Sequence, residues 1–299
     1  ESLQIKNPYA LRTKRILTLG SYASYRLILN GTPLSKNVLD LWTQMQFLSP
    51  KILGMTYNEF KNTYCEYYIR GRLKGMVKKQ HNVQHLISKI EPYIFDAELD
   101  LNRGKTYYDY IYCIDNKDEY GRLKKRLMEQ CYESNIDFMA ISTTLQKFYC
   151  NSKGKDEMLQ EVINNIDGQV IVFVKYLASI KTKNAIKGDT SEKERVKIID
   201  GFKNGEFKAL YITYGCGAFG LNLQFCHNII FADHTFDYAQ RLQAEARIYR
   251  IGQKENVNYY NLWCECGLEK LIQSCLNKKK NLLDEVKKHI GDKTWIKNL

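Results

Sequence analysis

The sequence has 299 residues, of which 44% are hydrophobic, with a mean hydropathy of −0.45 and a net charge of +12. This length favours two compact units with apolar cores, and a proline count of four argues against long disordered stretches. The basic excess favours a polyanionic partner, either nucleic acid or an acidic membrane surface, although a lysine-rich solubilising surface would have the same composition.

The nine cysteines are odd in number and include no CxxC pair. Cys264 and Cys266 fall on one face of a predicted strand, so we expect packed, reduced thiols in a cytosol-like compartment and no zinc site. We find neither a signal peptide nor an apolar run of about 18 residues, and we predict no membrane association. The chain opens with Glu-Ser-Leu-Gln rather than Met, so we expect a fragment.

The first predicted element is a buried strand at Arg26–Asn30, which ends in the turn Gly31-Thr32-Pro33. The apolar spacing then predicts a helix over Val38–Leu48. Residues 57–139 are rich in Tyr, Lys and Asn and are mostly helical in period, with a strand at Tyr107–Ile114. We interpret this stretch as helical insertions and the connection between two units.

From Lys155 onward strands and helices alternate, which predicts an α/β fold with a parallel sheet. Ser191 and Glu194 have the spacing of a capping box at the start of one helix. The predicted elements are helix Met158–Ile166, strand Val170–Val174, helix Ser191–Phe202, strand Ala209–Thr213, strand Asn228–Ala232, helix Tyr238–Tyr249, strand Val257–Trp263 and helix Leu268–His289.

The segment Gln243–Gln253, QAEARIYRIGQ, carries the strongest chemical signal. Arg247 and Arg250 are three residues apart, so on a helix they would share a face. Two arginines at a helix end can hold a phosphate through forked hydrogen bonds. The alternative is a pair of solvated arginines on a surface helix.

Two glycine-containing segments are considered as phosphate-binding loops, and they lead to different predictions. Thr213–Leu223, TYGCGAFGLNL, follows a predicted strand, and its glycines would let the backbone approach a phosphate or ribose. The tripeptide Gly104-Lys105-Thr106 does not fit a phosphate-binding P-loop, because Leu99 stands where that loop needs glycine and the strand follows the tripeptide.

QAEARIYRIGQ resembles motif VI of the Swi/Snf group of superfamily-two helicase-like ATPases, with Tyr249 where histidine is usual. The resemblance implies that Arg247 and Arg250 are catalytic fingers that reach the ATP γ-phosphate, and that Gln243 binds nucleotide. TYGCGAFGLNL resembles motif V of that group, which implies that Gly217, Gly220 and Asn222 bind nucleotide as well.

Three further blocks resemble the same group in its own order. Leu27–Leu34, LILNGTPL, resembles motif III, with Asn30 where threonine is usual, and VIVFV at Val170–Val174 resembles motif IV. The opening ESLQIKN resembles the residues that follow the aspartate of motif II, so Glu1 would be the catalytic glutamate that orients the attacking water.

Together these blocks imply a RecA-like second motor lobe, residues 115–299, preceded by the end of the first lobe with a helical insertion, residues 1–114. The implied activity is ATP-driven translocation on double-stranded DNA, with the DNA backbone contacted by Thr32, Lys175 and Thr213. The implied cofactors are ATP and Mg²⁺, with Mg²⁺ held mainly by residues of the missing N-terminal motor lobe. Without the P-loop, this fragment alone is expected to be inactive.

The sequence also departs from the Swi/Snf pattern, which identifies a compact, divergent member of phage or bacterial type. Where W-N-P is usual, the sequence has Asp233-His-Thr-Phe-Asp237, and we expect His227 and His234 to be structural. The open alternatives are a nucleic-acid-binding ATPase relic, a motor subunit of a restriction or defence assembly, and a membrane-peripheral protein. We expect a cytoplasmic location in a bacterial or virus-infected cell, or a nuclear one in a eukaryote.

Overall fold

The computed structural model describes residues 2–30, 38–69, 75, 77–94, 101–133, 138–217 and 221–277, in two compact units, Glu1–Glu98 and Leu99–Leu299. The first unit is mainly helical. Its elements are the 3₁₀ helix Ser2–Ile5, α1 Leu11–Ser21, α2 Asp40–Leu48, α3 Pro50–Leu53, α4 Tyr57–Tyr64, β1 Cys65–Tyr67, β2 Val77–Gln80, α5 Val83–Ile90 and the 3₁₀ helix Glu91–Tyr93.

A small core of helical residues holds the first unit together. Phe60 and Tyr64 of α4 are fully buried, and Leu86 of α5 packs in the same cluster. The start of α4 is fixed by Thr56 and Glu59, because the Thr56 hydroxyl accepts from the Glu59 N–H and the Glu59 carboxylate accepts from the Thr56 N–H.

The predicted buried strand at Arg26–Asn30 is wrong. These residues form no regular element, and the side chains of Leu27 and Leu29 are 75% and 72% exposed. A strand needs a neighbour for its backbone hydrogen bonds, and within the described part of this unit β1 and β2 pair only with each other. The apolar run therefore has the sequence of a core strand without a sheet to join.

The second unit is built on a six-stranded sheet in which every neighbouring pair is parallel, in the order β3-β8-β7-β4-β6-β5. Its strands are β3 Lys105–Tyr112, β4 Val170–Val174, β5 Ala185–Ile186, β6 Ala209–Thr213, β7 Asn228–Phe231 and β8 Val257–Cys264. Its helices are α6 Lys117–Glu133, α7 Phe138–Cys150, α8 Lys153–Asn165, α9 Glu192–Lys203, α10 Tyr214–Gly217, α11 Tyr238–Glu245 and α12 Gly267–Asn277, with a 3₁₀ helix at Leu177–Ser179.

The central strand β4 is buried on both faces, which explains why its sequence is a continuous apolar run. Val170, Val172 and Val174 point into the core on one side, while Ile171 and Phe173 point into the core on the other. The predicted α/β fold with a parallel sheet is therefore confirmed for this unit.

The edge strand β3 belongs to the second unit, which therefore begins earlier in the chain than the predicted boundary after Ile114. All eight residues of β3 pair in register with β8, from Lys105 with Val257 to Tyr112 with Cys264. The Gly104-Lys105-Thr106 tripeptide leads into this strand, and the Gly104 N–H donates to Asn256 Oδ1 at 2.8 Å.

One helix end also differs from the prediction. The helix expected over Tyr238–Tyr249 stops at Glu245, and the C-terminal helix is described only as far as Asn277, so the rest of its predicted length lies outside the described residues. Within the described ranges, no helix combines the length and apolar character needed to cross a bilayer.

Candidate functional site

Two sequence-predicted residues, Thr213 and Lys175, lie at the carboxyl edge of the parallel sheet. Thr213 is the last residue of β6 and is half-buried, and it pairs with Val174 at the end of β4. Lys175 follows β4 directly, and Asp233 lies two residues after β7. The crevice beyond the carboxyl ends of parallel strands is where open α/β sheets bind ligands, so this edge is the candidate site.

The Lys175 ammonium is held inside the unit rather than fully extended into solvent. Its Nζ donates to Gln146 Oε1 at 2.6 Å and lies 3.7 Å from the centre of the Phe236 ring. Burial lowers the pKa of Lys175 to about 8. The side chain is therefore still mostly charged at neutral pH, and its ammonium group already interacts with Gln146 and Phe236.

A buried ion pair, Lys155–Asp233, lies beneath this edge and was not predicted from the sequence. Its side chains are 1% and 0% exposed. The other Asp233 oxygen accepts from the backbone N–H groups of Lys175 and Tyr176, at 2.8 and 3.2 Å. Burial alone would raise the pKa of Asp233, but the Lys155 ammonium and these hydrogen bonds outweigh it and lower the pKa.

The arginine pair lies in the turns that follow α11, not on a helix face as the spacing predicts. Arg247 is buried, and its Nε donates to the backbone oxygen of Gln243 at 3.2 Å. Arg250 is half-buried, and its Nη1 donates to the backbone oxygen of Leu221 at 3.4 Å. The turn closes at Gly252, whose φ of +99° is strongly disfavoured for any other residue.

The contact between Arg250 and Leu221 brings together two segments that the sequence analysis singled out separately. Asn222, next to Leu221, is exposed, and Gln243 is half-buried on α11. Gly217 ends the short helix α10, which begins directly after β6. Glu1, Thr32 and Gly220 lie outside the described residues.

Arg241 anchors the helix that leads to the arginine turns, and sequence reasoning missed it. Its guanidinium lies 3.3 Å from the centre of the Phe231 ring, and its Nη2 donates to Asn261 Oδ1 at 2.7 Å. Asp237 fixes the other end of α11, because its carboxylate accepts from the Ala239 N–H at 2.9 Å. Phe231 and Asn261 lie on two separate strands, so no short motif marks these contacts of Arg241.

His234 packs as a structural residue, as predicted. Its ring stacks on Trp263 with centroids 3.5 Å apart, and its Nε2 lies 3.0 Å from the backbone oxygen of Leu262. Burial lowers the pKa of His234 well below its usual value, and burial raises the pKa of Glu269 to about 8. Although His234 and Glu269 approach to 4.0 Å, they therefore form no ion pair at neutral pH.

Glu269→Gln is expected to flatten the pH dependence of stability. A carboxyl whose folded-state pKa is raised contributes stability below its unfolded pKa, about 4.3, and loses that contribution as the pH rises through about 8. The amide is neutral throughout and can still accept from the Tyr149 hydroxyl, which donates to Glu269 at 2.6 Å. When the free energy of unfolding is measured with denaturant at pH 5 and pH 9, the wild type should lose more stability between these pH values than Glu269→Gln. Equal losses would contradict the raised pKa of Glu269.

The described residues contain no group of three or more His, Cys, Asp and Glu side chains arranged to hold a metal ion. The carboxyl edge instead offers a lysine, hydroxyls and backbone N–H groups. These donors suit oxygen atoms of phosphates.

Two domain families match the chain. Residues 1–167 match the SNF2-related domain, and residues 154–252 match the helicase conserved C-terminal domain. The second match ends at Gly252, so it includes both arginines of the turns after α11.

The curated relatives have low identity but extended coverage. The putative ATP-dependent helicase/translocase YwqA of Bacillus subtilis is 23% identical over 350 residues, covering 100% of this chain and 36% of its own length. The ISWI chromatin-remodeling complex ATPase ISW2 of Saccharomyces cerevisiae is 25% identical, covering 91% of this chain and 28% of its own length. The chain thus spans about a third of the length of these relatives.

A solved structure, the Sulfolobus solfataricus SWI2/SNF2 ATPase core in complex with dsDNA, aligns with a TM-score of 0.50 and 24% identity, over 96% of this chain and 67% of that chain. This likeness identifies the six-stranded parallel sheet as RecA-like. Because the SNF2-related match extends over more than half of the 299 residues, and the helicase C-terminal match continues through the arginine turns, this chain belongs to the SNF2-related family.

Proposed function

We propose that this chain is part of an ATP-hydrolysing motor that moves along double-stranded DNA, and that its second unit supplies the arginines that act on ATP. The observation that carries the proposal is the arginine pair held in the turns after α11, with Arg250 against Leu221 at the start of the loop that contains Asn222. Both relatives described above are named as ATPases or ATP-dependent helicases.

In this proposal Arg247 and Arg250 stabilise the negative charge of the transition state for ATP hydrolysis. Phosphoryl transfer passes through a transition state with charge spread over the transferred oxygens, and an arginine placed against it accelerates the reaction. In Arg250, Nε and Nη2 have no acceptor within the described part of the chain, so these N–H groups are available to phosphate oxygens. In this proposal Glu1 orients the attacking water, and Gly217, Gly220, Asn222 and Gln243 line the nucleotide site.

The first unit supports the proposal that a larger first lobe completes the motor. Leu27 and Leu29 expose apolar side chains from a run that has the sequence of a core strand. Such exposure is unfavourable in water, at about 25 cal/mol per Å² of apolar surface. We therefore propose that further strands of the first lobe, together with its P-loop and the Mg²⁺ ligands, pair with and cover this run. In this scheme the first lobe ends before β3, and the second lobe includes β3 because that strand pairs with β8.

DNA would be held through its phosphates. Thr213 and Lys175 lie at the carboxyl ends of two adjacent strands, and Thr32 is proposed as a third contact. Phosphate contacts fix position without reading sequence, so this arrangement suits a protein that moves along the duplex.

Double-stranded DNA should stimulate ATP hydrolysis by the full-length protein, with little dependence on base sequence. Because Lys175 is the cationic member of the three proposed contacts, these residues predict that the apparent DNA affinity falls roughly 3.5-fold between about 50 and 200 mM salt. The measurement is the DNA concentration for half-maximal ATPase at each salt concentration. An absence of stimulation, or an affinity that does not change with salt, would contradict the proposed function.

Lys175→Ala tests one contact in the same titration. It should reduce the slope of log affinity against log salt concentration by about one, which is the contribution of one phosphate contact. Lys203 is a matched control, because it is an exposed lysine at the end of α9, in the segment that leads to the amino end of β6. Lys203→Ala should leave the slope unchanged. Equal slopes for all three proteins would remove Lys175 from the DNA contact.

A further inference from the structure

The arginine turns, residues 246–252, belong to no regular helix or strand. The backbone N–H of Arg250 donates to the oxygen of Ile248 at 3.1 Å, only two residues earlier in the chain, where a helix would use the residue four earlier. A segment with few helical hydrogen bonds depends on contacts from the rest of the unit to keep one conformation. The direction of the Arg250 side chain therefore depends on what packs against these turns.

The edge strand β3 contacts the turns through Lys105. The Lys105 Nζ lies 3.9 Å from the centre of the Tyr249 ring, and Tyr249 directly precedes Arg250. An ammonium group at this distance from an aromatic face is attracted by the electrons of the ring. Lys105 forms no ion pair with any carboxylate of the described residues, so the Tyr249 ring is the group that its charge meets.

A second contact from the same face of β3 holds the end of α11. Tyr107 lies two residues after Lys105, so both side chains project from one face of the strand. The Tyr107 hydroxyl donates to Glu245 Oε2 at 3.2 Å, and its ring stacks on that of Tyr259 with centroids 5.0 Å apart. The Tyr259 hydroxyl donates to the backbone oxygen of Glu245 at 3.2 Å. The strand therefore contacts the chain where α11 ends and again four residues later, at Tyr249.

The Gly104-Lys105-Thr106 tripeptide, which does not fit a P-loop, thereby has a place in the fold. The Gly104 N–H is fixed by Asn256, and Lys105 begins the register of β3 with β8 at Val257. A lysine at the start of a strand paired over its whole length is a firm support for a neighbouring turn.

We propose that Lys105 and Tyr249 are positioning residues for Arg250, and that their contact holds the arginine turns in the conformation that presents the guanidinium to ATP. Neither residue touches the phosphates in this scheme, and Lys105 acts through the Tyr249 ring. The inference rests on the proposed function, because it requires that Arg250 acts on the triphosphate. Small displacements of a group that stabilises a transition state lower the rate even when the group itself is intact.

Steady-state, DNA-stimulated ATP hydrolysis by the full-length protein tests this role. Lys105→Gln and Tyr249→Leu should each lower kcat about fivefold, which is the effect of losing one cation–π contact near the surface. The KM for ATP should change little, because the arginines act on the transition state. Lys105→Arg and Tyr249→Phe keep a cation and a ring, respectively, and should retain most of the wild-type kcat.

The double variant Lys105→Gln with Tyr249→Leu shows whether the two residues act together. Its kcat should also be about fivefold below the wild type, whereas independent effects would multiply to about 25-fold. A multiplied loss would mean that Lys105 acts on its own and would overturn the proposal. Thr106→Ala is the matched control, since Thr106 is exposed on the opposite face of β3, and it should leave kcat unchanged.

Amide hydrogen exchange measures the turns without any turnover. Lys105→Gln should accelerate exchange at residues 246–253 about fivefold, with no change in β4. Unchanged exchange in the turns, or an unchanged kcat, would overturn the positioning role.

Arg250→Ala separates this inference from the proposed function. If Arg250→Ala keeps its turnover, the catalytic role of Arg250 is wrong, and the positioning role is overturned with it. If Arg250→Ala is inactive while Lys105→Gln keeps its full kcat, only the positioning role is overturned.

Discussion

Replacing Arg250 with alanine in the full-length protein is expected to reduce DNA-stimulated ATP hydrolysis by about 10³-fold. This corresponds to about 4 kcal/mol of transition-state stabilisation. The variant removes the guanidinium but leaves Gly252 and the turn after α11 in place, and the Leu221 carbonyl that it contacts can hydrogen-bond water instead. DNA affinity should stay near the wild-type value, because the proposed DNA contacts lie at other residues.

Arg250→Lys distinguishes charge from geometry in this experiment. Lysine keeps the positive charge but cannot make the forked hydrogen bonds of arginine, so we expect activity far closer to that of alanine than to that of the wild type. Steady-state hydrolysis at saturating DNA is the readout, with Lys203→Ala as a surface control. A variant that keeps most of its turnover would contradict the catalytic role of Arg250.

Lys155→Ala is expected to lower the free energy of unfolding by about 3–5 kcal/mol. The change leaves the Asp233 carboxylate fully buried without its cationic partner, and the cost of an unpaired buried charge is much larger than that of a lost surface contact. Asp233 also holds the backbone at Lys175 and Tyr176, so the loss should loosen the carboxyl end of β4. Denaturant unfolding of the chain measures the effect.

Two further variants separate the charge from general disturbance of α8. Lys153, two residues before Lys155 on α8, forms an exposed ion pair with Glu157, and Lys153→Ala should change stability by no more than about 0.5 kcal/mol. The double change Lys155→Met with Asp233→Asn removes both charges and should recover most of the loss. If the double variant is no more stable than Lys155→Ala, the unpaired carboxylate is not the cause.

The elements that could be predicted from the sequence are those whose signal is local. The apolar runs Val170–Val174 and Ala209–Thr213 match the observed strands residue for residue, because strands buried on both faces need no polar alternation. The start of α9 was likewise visible, since the Ser191 hydroxyl accepts from the Glu194 N–H at 3.3 Å. Each of these signals depends only on residues that are close together in the sequence.

The features that could not be predicted depend on distant partners. The run at Arg26–Asn30 has strand composition but no sheet beside it in the described unit, so composition alone misleads. The end of α11 at Glu245 is set by turns whose carbonyls and N–H groups pair locally, whereas the arginine spacing suggested a continuing helix. Lys155 and Asp233 are 78 residues apart, and neither belongs to a recognisable motif.

The central claim is that the guanidinium groups of Arg247 and Arg250 act on a bound triphosphate. A structure of the full-length protein with DNA and a non-hydrolysable ATP analogue measures this directly, as the distance from each guanidinium to the γ-phosphate oxygens. We predict that at least one of the two arginines lies within hydrogen-bonding distance, about 3 Å. If both side chains point away from the nucleotide, the motor role proposed for this chain is wrong.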